Sequence, residues 1–187
     1  LYAYVAFFVV ILTYGIETAF FRFSQSDRDN KNIYSTSLIS LLISSAVFVF
    51  FACYFSNRIA SAIHFSAHPE YIRYFAIIIG LDAITSISFA KLRQKNKAIR
   101  FALIRLVNIF VNIGLNLFFI LYCPYAIKNN LFSAEFIQSI YSPEIGIGYI
   151  FIANLIASIL TILLLLPEMT QNTWKFDKVL WRKMMIY

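Results

Sequence analysis

Five apolar runs, each close to twenty residues long, divide this chain and leave few folds open to it. They cover residues 1–21, 34–55, 71–90, 101–122 and 148–167. A helix of about 20 apolar residues crosses the ~30 Å hydrocarbon core of a bilayer. Within hydrocarbon every backbone N–H and C=O needs an internal partner, so a span is a helix or a strand of a closed barrel. No strand-like alternation with closely spaced turns competes here, and helices are expected. A soluble protein with one large core is the alternative, and composition argues against it. The 187 residues are 60% hydrophobic and 13% charged, where soluble domains carry roughly 25% charged residues. Mean hydropathy is +0.73. The expected fold class is an all-α integral membrane protein with five transmembrane helices.

The segments between the runs set the orientation. Arg22, Arg28 and Lys31 follow the first run. Lys91, Arg93, Lys95, Lys97 and Arg100 follow the third, and Lys175, Lys178, Arg182 and Lys183 follow the fifth. The two alternating segments carry only Arg58 and Lys128. The positive-inside rule places the three basic segments in the cytoplasm. The net charge of +7 therefore needs no nucleic-acid partner, because basic residues at membrane edges meet anionic headgroups. Leu1 begins outside on this reading, with no basic n-region or cleavage site before it, so a preceding span in a longer protein is expected.

The chain divides into a five-helix membrane region, residues 1–167, and a cytoplasmic amphipathic linker, residues 168–187. In the linker Trp174, Phe176, Val179, Leu180 and Trp181 alternate with lysines, an interfacial pattern. The outer segments 56–70 and 123–147 are each expected to hold a short interfacial helix. Cys53 and Cys123 are too few for a disulfide framework and fall near one membrane face. They read as packing residues, with a single bridge as the alternative. No cofactor, zinc-type cluster or resident metal is expected.

Polar residues fall in lines on the apolar bodies. Arg105, Asn108, Asn112 and Asn116 are spaced 3, 4 and 4 apart, which keeps them on one helical face. Thr13 and Glu17 make a line on the first run, and Ser37, Ser40 and Ser44 on the second. Asp82, Thr85 and Ser86 mark the third, and Asn154, Ser158 and Thr161 the fifth. Such residues serve one of two ends: hydrogen bonds between helices, or the wall of a hydrated cavity. Three amides in a row need many partners, which favours the cavity. Ionisable groups at membrane depth face a partner or a water-filled route. Glu17 and Arg105 lie at similar shallow depth, so an ion pair between them is one reading, and a coupling site at Glu17 or Asp82 the other. Asp82 lies deeper, where a protonated acid bonded to a neighbouring helix is the plain alternative.

The stretches "TYGIETAFFRFS" (residues 13–24), "FAKLRQKNKAIRFALIRLVNIFVNIGLNLFF" (89–119) and "FDKVLWRKMMIY" (176–187) resemble the polysaccharide biosynthesis proteins. These are lipid-linked oligosaccharide flippases of the O-antigen type, within the multidrug/oligosaccharidyl-lipid/polysaccharide exporter superfamily. The resemblance runs through nearly the whole chain, and its most specific part is a short basic loop leading through "IRFAL" into the Asn-rich helix. The chain departs from the pattern at Ser88, where relatives often carry proline. The resemblance implies 12 to 14 helices in two six-helix lobes, with this chain supplying helices two to six of the amino-terminal lobe and the link to helix seven. It also implies a bacterial cytoplasmic (inner) membrane location. The implied activity is transport rather than an enzyme reaction: an undecaprenyl-diphosphate-linked oligosaccharide crosses the membrane by alternating access. Arg105 and then Arg22 would bind the diphosphate, since guanidinium forks suit phosphate oxygens, and Asn108, Asn112 and Asn116 would face the sugars. Arg93 and Arg100 read first as plain positive-inside residues. Partners on this reading are the lipid-linked oligosaccharide, membrane lipids and the remaining helices of a longer chain.

Two rivals remain. A cation-coupled multidrug antiporter of the same superfamily would use Glu17 or Asp82 as its coupling carboxylate. A membrane enzyme of glycan polymerisation would use the outer His64, His68 and Glu70, although the adjacent Pro69 and a lone i, i+4 histidine pair make a weak metal site. A non-transporting assembly subunit is a third class.

Overall fold

The computed structural model describes residues 2–26, 32–62, 68–129, 134–171 and 174–186. Arg28, Lys31 and His64 lie outside them. Among the described residues the chain is all helical, with no strand. The helices are α1 (Tyr2–Thr13), α2 (Ile16–Ser26), α3 (Asn32–Tyr54), α4 (Ser56–Ala62), α5 (Pro69–Gln94), α6 (Ala98–Leu117), α7 (Cys123–Lys128), α8 (Ala134–Ile140), α9 (Gly148–Thr170) and α10 (Lys178–Met185). Four helical stretches are long and apolar enough to cross a membrane: α3, α5, the continuous run 98–128 and α9. There are five if α1 and α2 count as one bent span.

The first expected span is broken rather than straight. Between α1 and α2 the chain bends by 41°, with Tyr14 at φ 33° and Gly15 at φ 73°. Gly15 takes this left-handed conformation without a steric cost, whereas Tyr14 is strained there. The Tyr14 hydroxyl is tied to Ser40 Oγ on α3, which holds the strained residue in place. Hydropathy does not register such a break, because both flanks are apolar.

The other helices overrun their expected ends. α9 continues past Pro167 to Thr170, because Glu168 and Met169 are buried against the bundle and packing outweighs the lost backbone bond. α6 runs through one widened turn, residues 118–122, into α7. There Cys123 N–H donates to Phe118 C=O, five residues back. Pro124 has no N–H and crowds the preceding turn, and the wider turn relieves that crowding. α5 passes through Ser88 without a break.

α5 is the central helix, packed by α1, α3 and α9, while α6 packs chiefly on α9. The α3/α5 approach is close. A Cβ on Gly80 would meet Val49 Cγ2 at 2.7 Å, so only glycine fits unless α3 shifts. α6 turns Leu103, Leu106, Phe110, Ile113 and Leu117 outward, as a lipid-facing helix does. At the end of the bundle opposite α10, α7 and α8 form a small cap around buried Cys123, Ala126 and Ile137. Tyr71 Oη donates to Ile145 C=O at 3.1 Å, and Ser142 N–H donates to Tyr149 Oη at 2.7 Å, pinning the cap to α5 and α9. Both cysteines are free thiols.

The amphipathic linker helix docks onto the bundle. Leu180 and Met184 of α10 join the core formed by Ile16, Phe20 and Tyr34. Asp177 caps the helix by accepting from Leu180 N–H at 3.0 Å. Trp181 Nε1 donates to Ser40 Oγ at 2.7 Å.

Candidate functional site: a polar seam between three helices

The 3-4-4 spacing on α6 puts Arg105, Asn108, Asn112 and Asn116 on one face, and that face meets α9. Asn108 Nδ2 donates to Thr161 Oγ1 at 2.9 Å. Asn112 Nδ2 donates to Asn154 Oδ1 at 3.0 Å. Asn116 Nδ2 donates to Asn112 C=O at 2.8 Å and to its Oδ1 at 2.7 Å. The third helix contributes Asp82, whose Oδ1 accepts from Ser158 Oγ at 3.0 Å. The seam runs the twelve residues from Arg105 to Asn116, about 16 Å over eleven steps of 1.5 Å.

Arg105 closes the end of the seam nearest the basic segment 91–100. Its guanidinium lies over the Phe89 ring, 4.3 Å from the centroid, a cation–π contact. At the other end Asn116 Oδ1 is buried without a hydrogen-bond partner among the described residues.

Four of the expected site residues, Arg105, Asn108, Asn112 and Asn116, therefore come together with Asp82, Asn154, Ser158 and Thr161. The Asn108 and Asn112 amides are bonded directly to α9, while the Asn116 amide is bonded to Asn112 on its own helix. Arg22 stands apart, exposed on α2, which packs on α3, α5 and α10.

The expected Glu17–Arg105 pair is not formed. Arg93 takes Glu17 instead, in a close ion pair. The bend at Tyr14–Gly15 is the cause, since it turns the first residues of α2 toward the end of α5 that carries Arg93. Arg93 also lies over the Phe21 and Phe101 rings, at 5.3 and 5.9 Å. Arg100 pairs with Glu168 at 3.1 Å. Both arginines thus hold helices together, beyond the orientation role expected of them.

A second polar cluster escaped the sequence reading. Lys91 Nζ donates to Glu168 C=O at 2.7 Å and sits over the Tyr34 ring at 3.9 Å. Tyr34 Oη in turn shares a hydrogen bond with Ser88 Oγ at 2.9 Å. With Arg100 the cluster ties neighbouring ends of α3, α5, α6 and α9 together. Lys91 reads as one more basic residue of its loop, and Glu168 as part of the tail. The available signal is spacing: Ile84, Ile87, Ser88 and Lys91 fall on one face of α5.

The serine line on α3 does not join the seam. Ser37 Oγ donates to Ile33 C=O and Ser44 Oγ to Leu41 C=O, within their own helix. Ser40 serves Tyr14 and Trp181. At the outer surface His68 Nδ1 lies 2.9 Å from Glu70 Oε1 and its ring stacks on Tyr71. Among the described residues no group of three potential ligands could hold a metal ion.

Comparison with known proteins finds no matching family model, no matching curated protein and no matching solved structure.

Proposed function

We propose that this chain is part of a membrane transporter that moves an anionic, sugar-bearing lipid across the membrane by alternating access. The cargo class is the undecaprenyl-diphosphate-linked oligosaccharide of polysaccharide biosynthesis, and the membrane is the bacterial cytoplasmic one. The observation that carries this reading is the seam itself. A row of amides, hydroxyls and one carboxylate runs through a bundle of membrane-length apolar helices, with an arginine at its cytoplasmic end. Interhelical bonds of this kind contribute only about 0.6–2 kcal/mol each in lipid, so they part readily where a polar cargo offers replacements. The resemblance of residues 13–24, 89–119 and 176–187 to the oligosaccharide flippases supports the same reading.

In this proposal the structure represents the seam closed. α6 has few other neighbours, so it parts from α9 when cargo enters. Each amide then exchanges an interhelical hydrogen bond for one to a sugar hydroxyl or to water, at small net cost. Asn116 Oδ1 gains a donor. Arg105 leaves the Phe89 face to take a diphosphate oxygen by a charge-assisted bond.

Asp82 favours a second reading, the cation-coupled antiporter of the same superfamily. It is a carboxylate inside the bundle with a donor from α9, and a coupling group needs such a place.

The test replaces Arg105 with Ala and, separately, with Lys in the full-length protein in its native cells. Surface polysaccharide and inner-leaflet lipid-linked precursor are measured at matched protein level. Loss of export and precursor accumulation in Arg105→Ala, with partial rescue by Arg105→Lys, is the expected result. Normal export in both variants overturns the cargo-binding role. Normal polysaccharide with lost drug resistance favours the antiporter.

A further inference from the structure

α10 carries a second apolar surface on the side turned away from the bundle. Leu180 and Met184 face inward and are buried. At 100° per residue, Val179 and Ile186 fall about 20° apart on the far side. They are 67% and 80% exposed. Arg182 lies about 40° to one side of this ridge and Lys183 about 40° to the other, with Lys178 beyond Arg182. Asp177 is the one acidic residue of the segment 174–186, and its carboxylate is engaged in capping the helix.

The height of α10 is fixed by two bonds to α3. Asp177 N–H donates to Thr36 Oγ1 at 3.1 Å, and Trp181 Nε1 to Ser40 Oγ. These acceptors lie four and eight residues past Asn32, the first residue of α3, about 6 and 12 Å along its axis. The helix is therefore held where α3 passes from the cytoplasmic face into apolar surroundings. A narrow apolar ridge flanked by long basic side chains at that height suits the boundary between headgroups and acyl chains.

We propose that the outward face of α10 is a binding surface for anionic phospholipid. Val179 and Ile186 enter the acyl boundary, while Lys178, Arg182 and Lys183 take the headgroup phosphates and the negative charge of the cytoplasmic leaflet. Lipid bound there bears on the bend in the first span, because Trp181 and Tyr14 share Ser40 Oγ.

Trp174 and Trp181 are the chain's two tryptophans, so indole fluorescence reports on this segment. The protein is placed in nanodiscs of phosphatidylcholine containing one-third phosphatidylglycerol. Bromine is carried on the acyl chains of one lipid or the other, at the same overall composition. Per mole, brominated phosphatidylglycerol is expected to quench about twofold or more strongly than brominated phosphatidylcholine, and less so at high salt. Replacing Lys178, Arg182 and Lys183 with Gln equalises the two lipids. Val179→Asn with Ile186→Asn weakens quenching by both. Equal quenching in the unmodified protein overturns the proposal, since the ridge then meets lipid without regard to charge. No quenching by either lipid also overturns it, since protein then covers the ridge. The deciding comparison uses the unmodified protein, so it does not depend on any variant folding.

Discussion

Two helix interfaces in this molecule are both polar by composition and differ in how they use that polarity. Along α3 and α5 the polar groups are mostly serines, with Tyr34 Oη and Ser88 Oγ bonded across at one end. Ser37 and Ser44 bond to carbonyls of their own helix, while the Ser35 and Ser45 hydroxyls are buried without a partner among the described residues. These serines act as small residues that let backbones approach, and Gly80 against Val49 is the closest point. Along α6 and α9 the groups are amides. An amide carries two donors and an acceptor, more than its own helix satisfies here, and Asn108 and Asn112 reach across to Thr161 and Asn154. The first interface is locked by shape. The second is held by hydrogen bonds that water or a sugar can replace. The pairing of a rigid contact with an exchangeable one is what an opening bundle requires.

Substitutions can break this contrast, beginning with the largest expected effect. Gly80→Ala forces its new methyl against Val49, whose β-branched side chain is stiff. It is expected to cost about 1–3 kcal/mol, read as a lower thermal midpoint in detergent, and Val49→Ala is expected to restore much of the loss. An unchanged midpoint would remove the shape lock. Asn112→Ala comes next. It removes the bond to Asn154 and one partner of Asn116, at about 1–2 kcal/mol. A double-mutant cycle with Asn154→Ala should show a coupling of about 0.6–1.7 kcal/mol, and a coupling of zero means the amides do not bridge the helices. Ser45→Ala is expected to be neutral, or stabilising by up to about 1 kcal/mol, because it removes a buried hydroxyl without a partner. A clear loss of stability there would show that the α3/α5 interface depends on hydroxyl bonding after all. The smallest effect is expected at Gly114, where an added Cβ meets nothing within 4 Å. Gly114→Ala should stay within about 0.5 kcal/mol, and a larger loss would mean that α6 has a close neighbour on that face.

Much of this architecture could be read from the residues, and its gaps have physical causes. Hydropathy located α3, α5, α6 and α9 because a bilayer-length apolar run has few other uses. The 3-4-4 spacing of Arg105, Asn108, Asn112 and Asn116 correctly placed them on one face, and Asn154, Ser158 and Thr161 likewise. Which lines meet was not legible. The serines of α3 form an equally regular line, yet they are satisfied within their helix or by Tyr14 and Trp181. Periodicity reports a face and not its neighbour. The bend at Tyr14–Gly15 was missed because it lies in φ rather than in hydropathy, and missing it gave Glu17 the wrong partner. Lys91 and Glu168 were hidden by position, since basic and acidic residues near the ends of a span ordinarily face water.

The most direct test of the central claim is to stop the seam from opening. Cys53 and Cys123 are replaced by Ala in the full-length protein, and Asn112→Cys with Asn154→Cys are joined by a short, reducible bifunctional thiol reagent in cells. Surface polysaccharide is then followed before and after reduction. A control joins Tyr34→Cys and Ser88→Cys across α3 and α5, where the native hydroxyls are 2.9 Å apart. The α6–α9 link is expected to stop export reversibly, while the α3–α5 link leaves it intact. Undiminished export with the α6–α9 link in place would contradict this.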